Sequence, residues 1–362
     1  MSVPPVTSSA PTPQSRILGC LLGGALGDSL GYAVEFDPID TIRARFGAEG
    51  LTSFGQLDGG SHFSDDTQMT LYTVDGLLEA LEWANDGVAA DETACLWLAY
   101  LRWLATQGVE TPSSAPVPQP RWIDGHEVLR HRRSPGNACL SGLSGGEMGT
   151  VARPVNPDSK GCGTVMRSAP FGLIPHIGEA AVYKLSAGAA SLTHGHPSAR
   201  QSAAAFSVLI HRIMAGAEVR DAAQHALEVV ENLPDADPDL VKRLRRALEL
   251  TARELPAGAA LSPEELVGQL GEGWVAEEAL AVGLYAVLAT DAGGQDPAAH
   301  FRKAVALALN HSGDSDSTAS IAGNILGARY GEEALPADWL AELEAPELIR
   351  GMGERLIAVT LG

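Results

Sequence analysis

The amino-acid sequence predicts an all-α protein, a compact bundle of ten or more helices. Apolar residues recur at helical spacing in nearly every structured segment, whereas the alternating pattern of a half-buried strand is scarce. No repeat of fixed period is found, which argues against a solenoid despite the number of helices. The 362 residues are 45% hydrophobic and 19% charged, a composition that can bury a large core.

The first segment of the chain differs in composition from the rest. Residues 1–14 are rich in Pro, Ser and Thr, so we predict a disordered tail followed by one domain over residues 15–362. Ten helices are expected in that domain, at residues 16–34, 67–83, 91–106, 179–192, 199–215, 221–232, 238–252, 274–288, 297–309 and 317–330. Pro- and Gly-rich connections separate them, and "TPSSAPVPQP" at 111–120 is expected to be a flexible surface loop.

The first predicted helix carries glycine at every fourth position, at Gly19, Gly23, Gly27 and Gly31. Each interior glycine costs about 1 kcal/mol relative to alanine, so we predict that a neighbouring element packs closely against this face. Asp28 and Glu35 are seven residues apart and therefore lie on roughly one face of the same segment. The glycine pattern alone does not explain these two carboxylates.

Two adjacent carboxylates precede the second helix, in "SDDTQMT" at residues 64–70. Ser64 is suited to cap this helix, and acidic residues in a first turn interact favourably with the helix dipole. Two neighbouring carboxylates that are not fully solvated also need a compensating cation or a shared proton. The motif therefore fits either an N-cap or part of a metal site.

A second acidic cluster, in "NHSGDSDSTASIAGNILGA" at residues 310–328, precedes the last predicted helix. By itself it fits an N-cap or a calcium loop, although it lacks the ligand series and the final Glu of an EF-hand. The two clusters together offer four carboxylates and two hydroxyls, at Ser64, Asp65, Asp66, Asp314, Asp316 and Ser317. If they meet in space, these hard oxygen donors suit two Mg²⁺ or Mn²⁺ ions and favour a hydrolytic reaction.

Two further motifs offer groups that could bind a ligand. In "KGCGTVMRSAPFGL" at 160–173, backbone N–H groups could hold a phosphate at the turn formed by Gly161, Cys162, Gly163 and Thr164, or the turn could simply precede a helix. In "LTHGHPSA" at 192–199, His194 and His196 precede a helix that Pro197 begins. One of these histidines could face a ligand, or either could cap the helix.

The overall composition excludes several classes of protein. The formal charge is -20, from 45 acidic and 25 basic residues, and no basic block occurs, so no nucleic-acid partner is expected. The four cysteines form no CxxC pair and no secretory segment precedes them, which predicts a reduced, cytoplasmic protein. Asp28 and the glycines make residues 17–34 a buried helix rather than a membrane span, and without coiled-coil heptads a monomer is expected.

Five motifs, in this order, closely resemble those of the ADP-ribosylglycohydrolase family. They are "GCLLGGALGDSLGYAVEF" at 19–36, "SDDTQMT" at 64–70, "KGCGTVMRSAP" at 160–170, "THGHP" at 193–197 and "GDSDSTASIAGNILGA" at 313–328. The family includes the dinitrogenase reductase-activating glycohydrolase and hydrolases of ADP-ribosyl-arginine and ADP-ribosyl-serine. The resemblance implies an orthogonal all-α bundle with two Mg²⁺ or Mn²⁺ ions in a cleft.

The resemblance also assigns roles to individual residues. The family's metal motifs fall on the two acidic clusters and imply the six oxygen ligands named above, with serine in place of the more usual threonine at Ser64 and Ser317. Glu35, together with Asp65 and Asp316, is implied in catalysis, and Glu35 also in access to the cleft. The glycine turn would line the ADP-ribose diphosphate, and His194 would contact the distal ribose or a phosphate.

The implied reaction is hydrolysis of the glycosidic bond at the distal ribose of ADP-ribose. ADP-ribosylated protein arginine is the expected substrate, because a cationic guanidinium suits an acidic cleft, and Asp124 in "RWIDGHEV" is the candidate contact. Serine-linked ADP-ribose, a small ADP-ribose metabolite and a non-catalytic ADP-ribose-binding role stay open as alternatives. The presence of all six oxygen donors argues against the last of these.

Overall fold

The computed structural model describes residues 10–252 and 260–362 and shows an all-α protein, as predicted. Within these residues the sixteen α-helices are α1 (Pro13–Tyr32), α2 (Ile39–Phe46), α3 (Asp65–Asn85), α4 (Glu92–Thr106), α5 (Asn137–Ser144), α6 (Ala169–Gly172), α7 (Glu179–Ala190), α8 (Pro197–Met214), α9 (Val219–Glu231), α10 (Pro238–Leu250), α11 (Pro263–Leu270), α12 (Ala276–Thr290), α13 (Pro297–Leu309), α14 (Ser315–Tyr330), α15 (Ala337–Glu342) and α16 (Pro346–Thr360). The described ranges contain no strand, and their one isolated β-bridge joins Gly161 to Val275.

The glycine stripe of α1 packs against α14 along almost its whole length. A Cβ added to Gly19 would lie 2.5 Å from the carbonyl oxygen of Gly327, and one added to Gly23 would lie 2.5 Å from that of Gly323. Residue numbers rise on α1 as they fall on α14, so the two helices are antiparallel. The predicted close approach is confirmed, and it places the C-terminal end of α1 beside the N-terminal end of α14.

The remaining helices enclose this central pair. Helices α12 and α13 pack on α14, α16 packs on both α1 and α3, and α4 covers another side of α3. Helices α7 and α9 pack on α8, which in turn contacts α12 and α14. The interior is one continuous apolar cluster, so the N-terminal ends of α3 and α14 are held in a fixed relation by packing.

The start of α1 lies slightly before its expected position. The helix begins at Pro13, and the side chain of Thr12 accepts a hydrogen bond from the backbone N–H of Ser15. Pro13 suits the first turn, where its missing N–H would have had no partner in the helix. Residues 1–9 of the predicted tail lie outside the described residues.

Helix α16 was not among the ten predicted helices. Leu348, Met352 and Leu356 follow one another at intervals of four residues and are buried, so the helical pattern was present in the sequence. The predicted loop at 111–120 contains no regular element, and two 3₁₀ turns, Trp122–Gly125 and Glu127–Arg130, follow it. Across the described ranges, every helix is too short or too polar to span a lipid bilayer.

Candidate active site

The two acidic clusters meet in the folded chain. The Ser317 hydroxyl at the start of α14 donates a hydrogen bond of 2.9 Å to Oδ2 of Asp66 at the start of α3. These residues are 251 positions apart in the sequence. The two clusters therefore lie side by side in space, which the sequence alone could not establish.

Both clusters also cap their helices. The Ser64 side chain accepts a hydrogen bond from the backbone N–H of Asp66 at 3.1 Å, and Oδ1 of Asp314 accepts one from the backbone N–H of Ser317 at 3.3 Å. The predicted N-cap role of Ser64 is therefore confirmed. A cap and a cluster of oxygen donors are compatible, because the helix N-terminus that is capped also fixes the carboxylates in place.

Asp28 joins α1 to the first cluster. Its Oδ1 accepts a hydrogen bond of 3.0 Å from the backbone N–H of Ser64, and its Oδ2 accepts one of 3.0 Å from the backbone N–H of Thr67. Asp28 thus satisfies free N–H groups at the first turn of α3. The sequence showed a lone carboxylate within the glycine stripe, but its partner on α3 became apparent only in the folded structure.

A cleft of about 830 Å³ opens beside the two helix ends. One wall is acidic and consists of Glu35, Asp65, Asp66, Asp314 and Asp316. The Ser317 side chain also lines the cleft, whereas Ser64 is fully buried and does not line it. Five of the six predicted oxygen ligands therefore line one cavity, together with Glu35.

The carboxylates of the acidic wall have no Lys or Arg partner in the part of the chain that the structure describes. Within residues 10–252 and 260–362, neither Asp28 nor any carboxylate of this wall forms an ion pair with Lys or Arg. Burial, reinforced by Asp316 and Asp314, raises the pKa of Glu35 to about 10, and burial with Asp316 raises the pKa of Asp28 to about 7. Burial likewise holds the pKa of Asp65, Asp66 and Asp316 well above the usual range.

The glycine turn lines the same cleft. A Cβ on Gly163 would lie 2.9 Å from Sγ of Cys139 and 3.0 Å from Cε1 of His194, so the turn needs glycine there to approach its neighbours. The Cys162 thiol donates to Oδ2 of Asp314 at 2.7 Å and links the turn to the acidic wall. Thr164 does not line the cleft, because its buried hydroxyl donates to the carbonyl oxygen of Ala199.

The two histidines of "THGHP" have different environments. His194 lines the cleft and is only 2% exposed, and burial together with the Arg167 charge lowers its pKa to about 3. His196 instead caps α8, where its Nδ1 accepts a hydrogen bond from the backbone N–H of Ser198 at 3.1 Å. The alternative left open by the sequence is thereby resolved, since one histidine faces the cleft and the other caps a helix.

Asp124 is not brought to the cleft. Its carboxylate accepts hydrogen bonds from the Tyr72 hydroxyl at 3.0 Å and from the backbone N–H of Arg121 at 2.7 Å, and it pairs with Nε of Arg102 at 3.1 Å. Arg102 and Arg121 also pair with Asp75 on α3. The charge of Asp124 is used to attach the loop to the helices, and its side chain does not line the cleft.

Arg132, Phe36 and Trp274 line the cleft although no role was assigned to them from the sequence. Arg132 lines it as an exposed cation, and its one hydrogen bond to the described residues is a long contact of 3.4 Å with the carbonyl oxygen of Gln107. Phe36 and Trp274 line it as well, with ring centroids 6.0 Å apart and planes inclined by 17°. Phe36 is 67% exposed and Trp274 is 38% exposed, so both rings keep part of their surface open to solvent.

The donor chemistry of the acidic wall fits hard divalent cations. Carboxylate and hydroxyl oxygens are the ligands that Mg²⁺ and Mn²⁺ prefer, and the missing basic partner leaves buried negative charge to be compensated. Within the described residues, no group of three His, Cys, Asp or Glu side chains by itself has the arrangement of a metal site. Serine hydroxyls and water molecules would therefore have to complete the coordination.

The family model of the ADP-ribosylglycohydrolases matches residues 9–361. The chain belongs to this family. It is 26% identical over 94% of its length to "ADP-ribosylhydrolase ARH3" of Danio rerio, covering 90% of that protein. It is 24% identical over 93% of its length to "ADP-ribosyl-[dinitrogen reductase] glycohydrolase" of Rhodospirillum rubrum, covering 92% of that protein.

Two further similarities agree with the family assignment. "ADP-ribosylarginine hydrolase Tri1" of Pseudomonas putida is 24% identical over 94% of this chain, which covers 77% of that protein. A solved structure described as an "ADP-ribosylglycohydrolase-related protein complex" superposes with a TM-score of 0.62 at 23% identity, covering 96% of this chain and 99% of that one. At this identity the solved structure supports the fold alone. The predicted family and the predicted enzyme class, an ADP-ribosylglycohydrolase, are confirmed.

Proposed function

We propose that this chain hydrolyses the glycosidic bond between ADP-ribose and the arginine side chain of a modified protein, with two bound Mg²⁺ or Mn²⁺ ions. The observation that carries the proposal is the presence of two unlike sets of groups in one cleft. One set consists of carboxylates that form no ion pair with Lys or Arg of the described residues, and the other consists of the glycine turn, His194 and Arg132. The first set suits cations and sugar hydroxyls, and the second suits a diphosphate.

The residues that would hold the ions are those of the two clusters, Ser64, Asp65, Asp66, Asp314, Asp316 and Ser317. The raised pKa values of the four aspartates reflect buried carboxylates that have no Lys or Arg partner among the described residues, and bound divalent ions would compensate their charge. When bound, such ions supply positive charge that orients ribose hydroxyls and makes a nearby water easier to deprotonate. Asp28 supports this set by fixing the first turn of α3.

The glycine turn, His194 and Arg132 would bind the diphosphate. Helix α5 begins beside them at Asn137, and the backbone N–H of its N-cap residue Gly136 donates to Oδ2 of Asp65 at 3.2 Å. Among the described residues, Arg132 is the one Lys or Arg side chain that lines the cleft, and it can form charge-assisted hydrogen bonds with a phosphate. The absence of side chains at Gly161 and Gly163 lets His194 approach the backbone of the turn closely.

Glu35 is the residue to which we assign proton transfer. Its Oε2 is buried, has no hydrogen-bond partner among the described residues, and belongs to a side chain that lines the cleft. Four neighbouring carboxylates contribute to its raised pKa, so neutralisation of their charge would lower that pKa. Glu35 would then be able to accept a proton from the attacking water.

The acceptor linkage is the most specific part of the proposal. A guanidinium is planar and cationic, and it suits an acidic cleft whose mouth carries the exposed faces of Phe36 and Trp274. The Pseudomonas putida relative, whose name specifies ADP-ribosylarginine, supports the same linkage.

The test is release of ADP-ribose from an arginine-ADP-ribosylated protein in Mg²⁺, in Mn²⁺ and in EDTA. We expect turnover that requires the metal and is lost in Asp65→Asn and in Asp316→Asn, with wild-type turnover in the exposed control Asp158→Asn. Turnover that persists in EDTA would contradict the metal-dependent site. Release from a serine-linked substrate but not from the arginine-linked one would reject the arginine linkage and keep the hydrolase.

A further inference from the structure

A buried arginine lies behind the glycine turn. Arg167 is 1% exposed, and within the described residues its guanidinium contacts neutral groups rather than a carboxylate. Its Nη1 donates to the carbonyl oxygen of Gly163 at 2.6 Å, its Nε to the Tyr100 hydroxyl at 3.2 Å, and its Nη2 to Oγ1 of Thr193 at 2.7 Å. Arg167 therefore connects the turn to the residue that precedes His194.

The hydrogen bonds at Thr193 determine which nitrogen of His194 carries a proton. A guanidinium can only donate, so Oγ1 of Thr193 must accept from Arg167 and has one proton left to donate. Nδ1 of His194 lies 2.8 Å from this oxygen, whereas the carbonyl oxygen of Ala190 lies at 3.5 Å, too far for a good O–H···O hydrogen bond. The hydroxyl proton therefore points to Nδ1, which acts as the acceptor.

The other ring nitrogen faces the glycine turn. A Cβ added to Gly161 would lie 3.2 Å from Nε2 of His194, and one added to Gly163 would lie 3.4 Å from it. His194 is only 2% exposed, and its Nε2 has no hydrogen-bond partner among the described residues. In a neutral imidazole that accepts at Nδ1, the proton is on Nε2.

We propose that Arg167 and Thr193 fix His194 as the Nε2–H tautomer, so that this histidine donates a hydrogen bond to a phosphate oxygen in the cleft. Arg167 and Thr193 are positioning residues in this arrangement, because they act through His194. The identity of the acceptor, a phosphate of ADP-ribose, rests on the proposed function. The tautomer itself follows from hydrogen-bond geometry in the free protein and can be tested without turnover.

The first experiment is long-range ¹H–¹⁵N NMR of the full chain labelled with ¹⁵N-histidine, with His194→Gln used only to assign the signal. We expect an acceptor-type Nδ1 and a protonated Nε2 for His194 in the free protein. A protonated Nδ1, or an imidazolium at pH 7, would overturn the assignment of the tautomer. In Thr193→Val, the two nitrogen shifts should move towards the averaged values of a tautomer mixture, and Thr193→Ser should restore them.

The second experiment measures binding of ADP-ribose by calorimetry. We expect Thr193→Val to weaken the affinity by the factor by which the population of the Nε2–H tautomer falls, because only that tautomer can donate from Nε2 to a phosphate oxygen. Thr193→Ser should retain it. The matched control is Thr251→Val, whose buried hydroxyl donates only within α10 and its end.

The two experiments separate the possible failures. Unchanged nitrogen shifts and unchanged affinity in Thr193→Val would overturn the role of Thr193. If the wild type shows the Nε2–H tautomer but does not bind ADP-ribose, the proposed function and the phosphate contact fail together, and the tautomer assignment stands.

Discussion

Replacing Glu35 with glutamine should stabilise the metal-free protein, and increasingly so as the pH rises. Glu35 has its pKa raised from 4.5 to about 10 in the folded chain, chiefly by burial and then by Asp316 and Asp314. Between these two pH values the folded state holds a proton that the unfolded state has released. Folding is therefore disfavoured by a further 1.36 kcal/mol or so for each pH unit above 4.5.

The size of the effect follows from this slope. At pH 5.5 the cost of Glu35 is about 1.4 kcal/mol, and at pH 8 it is at most about 5 kcal/mol, since 3.5 pH units separate pH 8 from the unfolded pKa. Glutamine has nearly the same shape and does not titrate. Glu35→Gln should therefore raise the free energy of unfolding by about 3 kcal/mol more at pH 8 than at pH 5.5.

Urea unfolding in EDTA at the two pH values measures this difference. Glu147→Gln is the control, because Glu147 is exposed and lies outside the cleft. The reasoning would be refuted by a Glu35→Gln effect that is equal at both pH values, or by destabilisation at pH 8. Addition of Mg²⁺ or Mn²⁺ should reduce the advantage of Glu35→Gln, because bound cations compensate the carboxylates that surround position 35.

Three further predictions follow from the packing, the cleft and a second buried histidine. Gly23→Ala should lower the free energy of unfolding by about 1–3 kcal/mol, because its Cβ would lie 2.5 Å from a backbone oxygen of α14. Gly268→Ala is the control and should not destabilise the protein, because the space around that position is open. Arg132→Ala should raise KM for the ADP-ribosylated substrate about tenfold with little change in kcat. Arg130 lies outside the cleft, so Arg130→Ala should leave KM and kcat unchanged. The same rise in KM in both variants would contradict the phosphate contact of Arg132. Burial lowers the pKa of His311 to about 4, so its neutral form contributes stability that is present above about pH 6.5 and is lost as the pH falls towards 4. Acid unfolding of His311→Gln, compared with the wild type, should show a shallower loss over this interval, and identical curves would contradict the assignment.

Helix positions and helix caps were predictable from the sequence, because both depend on residues a few positions apart. Each of the ten expected segments overlaps a helix in the structure, and Ser64 caps α3 as its place before an acidic first turn indicates. The glycine stripe correctly predicted that a neighbouring helix packs closely against α1. It could not identify α14 as that neighbour, because a stripe of small residues describes one helix face and carries no information about its partner.

The positions of Asp28 and Asp124 relative to the cleft could not be predicted from the sequence. Both are lone carboxylates in the sequence, and no local pattern distinguishes them. Asp28 accepts hydrogen bonds from the first turn of α3 beside the cleft, whereas Asp124 is neutralised by Arg102 in an ion-pair network elsewhere. The difference arises from the packing of distant helices, so only the folded structure decides which carboxylate serves the site.

The sequence by itself determined the helical class, the family and the residue types of the candidate site, since these are properties of composition, periodicity and ordered motifs. Tertiary structure decided that the two acidic clusters meet, that they have no basic partner within residues 10–252 and 260–362, and that Arg132, Phe36 and Trp274 line the same cleft. The physical reason is the antiparallel packing of α1 on α14, which brings residues separated by most of the chain into contact. Burial then converts ordinary carboxylates into acids with strongly raised pKa, a property that no residue has in isolation.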